Sequence, residues 1–541
     1  VSPRLAHPRH PHPRRPHPRR PHPRGRSRLT ALAAAALAAV LVTGCSSAVD
    51  ELSAAADEPQ QGGTLRIGTT SDIVPANTFT NSSETGDVLV GAVYDTLVDY
   101  PLDSVEPAPN LATDWEFNDD GTELTLQLRD DVTFHSGRPF TSKDVEFSIK
   151  TWADPLWTVQ LQRTAAAVTG FDTSDEHAIT LSFEHPVSNI FDLLDMVPII
   201  DSESIDQLRA GTAWIGTGPF TFDSWQPGST LSLEANEDYW GGAPLLDGVD
   251  VSIIPDPQAQ VAQLRAGQLD LVTGASGRDI ESLGNDERFD VTEWVGAETQ
   301  VYVGANVQNE ALSDVRLRQA IAFALDRDRI VEDVYRGAGV PSSLPWPEYS
   351  PAYDAEAAAT YDYDLEQAKA LVEEVTEETG QVPTLPLTYP AEQTDFGAIA
   401  QIVQADLGEI GIKVQLDPVE QAESIKRLIG GEFEGLWLLY HSYAQYNPST
   451  LTVSAYPFNA DKNTSGYLDA QYQKDAEAAW KQKPGEVSDE QYDALNQDLL
   501  DGAFLLEIAI LHPQTVTSTN VGGLDQSKRN ELRLTETYLA E

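Results

Sequence analysis

From Gly62 onward, two apolar periodicities interleave along the chain with no long linker between them, and that alternation constrains the fold more than any single motif. Thr64-Leu65-Arg66-Ile67-Gly68, after Gly62-Gly63, reads as a strand, and Leu124-Thr125-Leu126-Gln127-Leu128 alternates with period two, as a half-buried strand does. A helical pattern starts at Ser313-Asp314 and runs through Ile321, Leu325, Ile330 and Val334 to Gly337. Two more helices are expected over 364–379 and 396–410, the second followed by Gly411 and a strand over 412–416. The mixture predicts an α/β protein, and 541 residues at ~150 per domain predict three to four domains. No internal repeat is visible, so a compact body crossed several times by the chain is expected.

Charge divides the chain in two. Residues 1–44 hold nine Arg and no acid, which leaves 26 bases against 85 acids in the remainder, a net charge of −59. A surface this acidic repels phosphate backbones, which excludes nucleic acid as a partner. Ten Trp, eighteen Tyr and sixteen Phe argue for a folded body despite the charge. Residues 1–28 are a Pro/His/Arg run that cannot build a core, and Leu29 to Val42 is an apolar stretch too short to span a bilayer, so it reads as a secretory signal. Val42-Thr43-Gly44-Cys45 resembles the bacterial lipobox, which makes Cys45, the single Cys, the expected lipidation site and rules out an intrachain disulfide. Residues 46–61 are then a polar tether holding the body off the outer face of the cytoplasmic membrane.

Six segments in order carry a family resemblance: GGTLRIG (62–68), PAPNLATDWEFNDDGTELTLQLRDDVTFHSGRPFTSKDVEFS (107–148), GTGPFTFDSWQPGSTLSLEANEDYWGG (216–242), LRAGQLDLV (264–272), DVRLRQAIAFALDRDRIVEDVYRGAG (314–339) and DLGEIGIKVQL (406–416). Together they resemble the family 5 extracellular solute-binding proteins of ABC importers, the peptide, dipeptide and nickel-binding group. The resemblance implies a two-lobed type II periplasmic-binding-protein fold with an inserted subdomain, its mixed sheets flanked by helices. It places lobe I at about 62–95, 213–300 and 512–541, the insert at about 96–212 and lobe II at about 301–511. The hinge would lie near 301–306 and 505–512, with Asn306 as a hinge residue. It implies an importer subunit, monomeric, that captures an oligopeptide-like solute and passes it to a permease, ATP hydrolysis belonging to other subunits.

Ligand chemistry is expected between the lobes, where loops converge. The stretch after the opening strand offers Ser71, Asp72, Thr78, Phe79 and Asn81. A second stretch, 437–448, concentrates Trp437, Tyr440, His441, Tyr443 and Tyr446, rings with polar tips that suit stacking and hydrogen bonding. Trp437 fits a core as well as a site, whereas Tyr443 and Tyr446 are expected to face a ligand. His512 closes the set near the cleft floor. Peptide binders of the family place an Asp in the loop before Pro448, but here Tyr443 or Ala444 stands there, and no carboxylate occurs between Glu434 and Asp461. The missing acid makes an oligosaccharide or another non-peptide solute the alternative ligand.

Catalytic and metal signals are absent. There is no G-x-S-x-G, H-E-x-x-H or G-x-x-x-x-G-K-[ST], and no His/Cys pair has ligand spacing once the five His of the leader are set aside. No cofactor or metal is expected, and the chain reads as a binding protein rather than an enzyme. The competing classes are a secreted glycoside hydrolase using two of the many acids, and a surface sensor on the same fold.

Overall fold

The computed structural model describes residues 59–79, 83–154 and 161–540. Cys45 and Asn81 lie outside them. Two large sheets and a smaller one organise the described chain. In the first, Thr64–Thr69 is central and parallel to both Gly248–Ile253 and Leu271–Val272, and Leu65 and Ile67 are fully buried. Antiparallel neighbours complete seven strands: Phe289–Glu293 and Gln514–Ser518 on one side, Thr230–Ala235 and Phe220–Gln226 on the other. The second sheet orders Gly339–Pro341, Leu505–Leu511, Thr299–Ala305, Leu436–His441, Leu385–Pro390 and Val414–Val419. Its Leu505–Leu511 strand is buried at every position, as expected where both faces are covered.

Between residues 112 and 183 the chain inserts a four-stranded antiparallel sheet. Leu124, Leu126 and Leu128 are its buried set, which is the alternation seen in the sequence. The Asn118–Gly121 turn joins its first two strands, with Gly121 at φ 68° donating to the Asn118 carbonyl at 3.0 Å.

Two local expectations need correction. The helical pattern from Ser313 is two helices, Val315–Ala324 and Arg327–Tyr335, because Leu325 turns extended and the Asp326 side chain accepts from the Arg329 N–H at 3.1 Å, capping the second. The strand expected at 412–416 is shifted to Val414–Val419. By contrast, Asp364 caps Leu365–Thr379 through Glu366 and Gln367 N–H groups, where the sequence placed a helix start.

The chain crosses between the two large sheets twice, over residues 294–298 and at His512-Pro513. Asn306 is therefore at the far end of its strand, away from the crossing, where its amide donates to the Phe433 carbonyl at 2.7 Å. Its assignment to a hinge is corrected on that ground. The cores follow the sheets, with one exception: Tyr446, Val453 and Trp480 come from the second lobe's stretch of chain but pack into the core of the first lobe and its insert.

Candidate functional site

The strand Leu436–His441 delivers the aromatic-rich loop to the boundary between the lobes, and its own residues are held from beneath. Trp437 stacks on Phe433 with centroids 4.7 Å apart and donates to the Tyr302 hydroxyl at 3.3 Å. It lies over Gly304, where a methyl group would sit 2.1 Å from Trp437 Cε2, so that strand position has room only for hydrogen. Tyr440 meets Phe396 at 4.4 Å and shares a 3.0 Å hydroxyl contact with Tyr335. His441 is buried against Phe458 and pairs through Nε2 with Glu507 Oε1 at 2.9 Å. Gln300, opposite His441 in register, has neither amide atom bonded, and His441 Nδ1 and Glu507 Oε2 are likewise unbonded. Three neighbouring positions at the cleft end of this sheet thus retain hydrogen-bonding capacity.

The loop itself is gripped by the insert. Tyr446, expected to face a ligand, is fully buried: its hydroxyl donates to Asp195 Oδ2 at 3.0 Å and its ring meets Tyr100 at 5.8 Å. Its expected open face is corrected accordingly, since a ring that is fully buried presents no surface to a solute. The Asn447 N–H donates to Asp192 Oδ2 at 3.0 Å, where the Thr450 hydroxyl also donates, and Tyr100 donates to the other oxygen at 2.9 Å. Asn189 and Ser188 add bonds of 2.9 Å to Thr450 and Ser449, and Trp480 Nε1 donates to Asn189 at 2.9 Å. Burial lifts the Asp192 carboxyl to about 6 in spite of its donors. Asp195 is raised too, first by burial and then by the charge of Asp99.

Tyr443 differs. It is half-buried, sits at φ 84°, and packs against the cores of both lobes, so it lies on their boundary. Gln445 fixes the loop here, accepting from the Tyr443 N–H at 2.7 Å and donating to the Lys528 carbonyl at 2.9 Å. The Lys528 ammonium lies 4.1 Å from the Tyr349 ring centroid and donates to the Leu102 carbonyl. Burial depresses it to about 8 against the pull of Glu298. Glu298 in turn accepts from the Gly296 N–H at 2.7 Å and the Tyr349 hydroxyl at 2.6 Å.

On the lobe I wall, the expected residues are turned to structural work. Ser71 Oγ accepts from the Glu84 N–H, and its carbonyl takes Thr85, so it anchors the start of the helix Glu84–Val93. Asp72 accepts from Trp225 Nε1 at 2.9 Å and the Gly228 N–H at 2.6 Å, tying the loop to a hairpin. Thr78 accepts from Trp214 Nε1 at 3.2 Å, and Phe79 is buried edge-on to Tyr94 at 5.5 Å. His512 pairs with Glu293 at 2.6 Å on the rim, so His441 and His512 have separate carboxylate partners. Among the described residues no three His, Cys, Asp or Glu are grouped to hold a metal.

The helix Glu84–Val93 supplies two acids that sequence reasoning passed over. Glu84 accepts from the Thr70 N–H at 2.6 Å and from the hydroxyls of Thr70 and Thr273 at 2.7 Å each. Asp87, one turn on, makes no side-chain hydrogen bond among the described residues; burial pushes its carboxyl well up, Glu531 and Glu84 add to that, and Arg529 opposes it. A cavity of about 210 Å³ opens beside this helix, lined by Asp95, Asp99, Asp195, Glu531 and Arg533 among others. Asp192, Asp195 and Lys528 carry no local motif, and only the return of distant segments brings them to the loop.

Residues 106–465 match the family described as bacterial extracellular solute-binding proteins, family 5 Middle. The chain is 29% identical over 418 residues to the probable di/tripeptide-binding protein 5 of Pseudomonas aeruginosa, covering 70% of this chain and 77% of that one. It is 28% identical over 368 residues to heme-binding protein A of Haemophilus influenzae, 63% of this chain and 67% of that one. The oligopeptide-binding protein AppA of Bacillus subtilis, solved with a nonapeptide, superposes with a TM-score of 0.77 at 22% identity, covering 90% of this chain and all of that one. The fold is thus the two-lobed α/β architecture of that protein, and the chain belongs to the family 5 bacterial extracellular solute-binding proteins.

Proposed function

We propose that this chain is the solute-capturing subunit of an ABC importer, taking an oligopeptide-like solute between its lobes and handing it to a membrane permease while other subunits hydrolyse ATP. The observation that carries the reading is family membership over 106–465 together with a relative named for di- and tripeptide binding that matches most of both chains. The boundary position of Tyr443 supports the cleft as the place of capture, because a solute there meets both lobes at once. Discrimination between open and closed forms needs contacts of that kind: moving the population from 1:99 to 99:1 takes about 5.5 kcal/mol of differential affinity.

Of the residues expected to bind, Tyr443, Tyr440, His441 and His512 remain the best placed, joined now by Gln300 and Glu507. Calorimetry with alanine peptides of two to five residues, and mass spectrometry of whatever co-purifies, test the reading; a co-purified solute of another class, with no peptide bound, overturns it. A non-peptide solute is the second reading, favoured by a loop without a carboxylate from 435 to 460 and by the likeness to a protein named for heme binding. Attachment of the chain to the outer face of the membrane through Cys45 belongs to the same proposal. Cys45→Ala should move it from the membrane to the soluble fraction. Among the described residues no helix is long and apolar enough to cross a membrane.

A further inference from the structure

Beside Gly339–Pro341, the edge strand of the second sheet, lies a cavity of about 150 Å³, and none of its lining residues is among those assigned to the cleft. Small side chains make the room. Ala355, Ala358 and Ala359 line it where the chain leaves the short helix Ala355–Ala358, and the Ser343 N–H fixes that turn by donating to the Ala358 carbonyl at 2.8 Å. Arg327 lines the cavity too, and its guanidinium is buried and held by backbone carbonyls. Nε donates to Glu507 at 2.8 Å and to Ser342 at 3.3 Å, and Nη1 donates to Tyr361 at 2.6 Å and to Ala322 at 2.9 Å. Nη2 has no acceptor, and among the described residues no carboxylate forms an ion pair with this charge. A buried cation in that state is costly, and burial draws the Arg327 guanidinium down to about 10. Two acids, Asp328 and Asp362, line the same cavity and are exposed. Neither has a side-chain hydrogen bond or an ion pair among the described residues.

The cavity is therefore cationic at a buried wall and anionic at an exposed one. A simple anion is repelled by the two acids and a simple cation by Arg327, whereas a molecule with a carboxylate at one end and an ammonium at the other satisfies both. The volume lies below the roughly 300 Å³ at which pockets for drug-sized ligands begin, so the molecule has only a few heavy atoms. We propose that this cavity is a binding site, separate from the cleft, for a small free α-amino acid, with its carboxylate on Arg327 Nη2 and its ammonium on Asp328 and Asp362. The inference goes beyond the peptide reading and does not depend on it.

Wild type and the double variant Asp328→Asn/Asp362→Asn, whose changes fall on exposed side chains, are titrated calorimetrically with glycine and two molecules of its size. Glycinamide lacks the carboxylate and glycolate lacks the ammonium. Wild type should bind glycine about tenfold or more tightly than either. In the double variant glycine should weaken about tenfold and come within about twofold of glycolate. Replacing Arg327 risks the fold, because it holds four carbonyls, so the other end is read from a crystal structure of wild type grown with glycine. The glycine carboxylate should lie within hydrogen-bond distance of Nη2. If the double variant fails to fold, the wild-type series and the crystal decide. No glycine binding by wild type, indifference to either missing charge, undiminished affinity in the double variant, glycine placed elsewhere in the crystal, or binding at crystal concentration only would each overturn the proposal.

Discussion

Asp192 and Gly304 show how single residues hold the loop and the sheet beneath it. Asp192 is an acid kept fully buried by donors from two segments about 350 residues apart, Tyr100 and the Asn447–Thr450 turn, and its carboxyl is lifted from 3.8 to about 6. The folded protein therefore binds that proton more tightly than the unfolded chain, so the contribution to stability is greatest below pH ~4 and is lost as pH rises through about 6. Asp192→Asn has no such proton. In urea unfolding at pH 4.5 and 7, stability should shift in favour of the variant at the higher pH by about 2 kcal/mol; a shift of the opposite sign would show that the buried charge is compensated elsewhere. Gly304→Ala would place a methyl 2.1 Å from Trp437 Cε2 and should cost about 2–3 kcal/mol, measured by the same unfolding curves at one pH.

The loop after the strand Leu436–His441 is where reading by element was both informative and misleading. Its density of rings was visible in the sequence, but which rings stay available was not, because that depends on Asp192 and Asp195, which no local pattern links to it. Tyr446 is fully buried in the core of lobe I and its insert and bonded to Asp195, while Tyr443 is half-buried on the boundary. The two alanine variants should separate accordingly. Tyr446→Ala should destabilise by about 3–5 kcal/mol, as loss of a buried aromatic does. Tyr443→Ala should change the melting temperature little and weaken peptide binding instead, and a Tyr443→Ala protein that binds normally would remove this residue from the site. The helix break at Leu325-Asp326 teaches the same lesson: apolar spacing continued through it, but the side chain of Asp326 capped a new helix.

At the scale of the molecule, two crossings connect the large sheets, and the bonds from Ser188, Asn189, Asp192 and Asp195 to 446–450 clasp the insert to the second lobe's loop. A solute that binds between the lobes adds to that clasp, so at a hundred times its dissociation constant it should stabilise the protein by about 2.7 kcal/mol and raise the melting temperature by a few degrees. Differential scanning calorimetry with and without an alanine peptide checks this, and an unchanged melting curve under saturating peptide would place binding outside the folded cleft. The alternation of periods was enough, by itself, to determine an α/β protein, because strand and helix patterns are local and each is written in neighbouring residues, while the two-lobed, solute-binding reading came from the resemblance of six ordered segments to a known family. The lone Cys and the charge division were likewise legible as sequence. Only the tertiary structure decided which acids meet the loop and which tyrosine is enclosed. Those facts are sums over segments that fold together from opposite ends of the chain, and hydrogen-bond satisfaction and burial exist only once the segments have met.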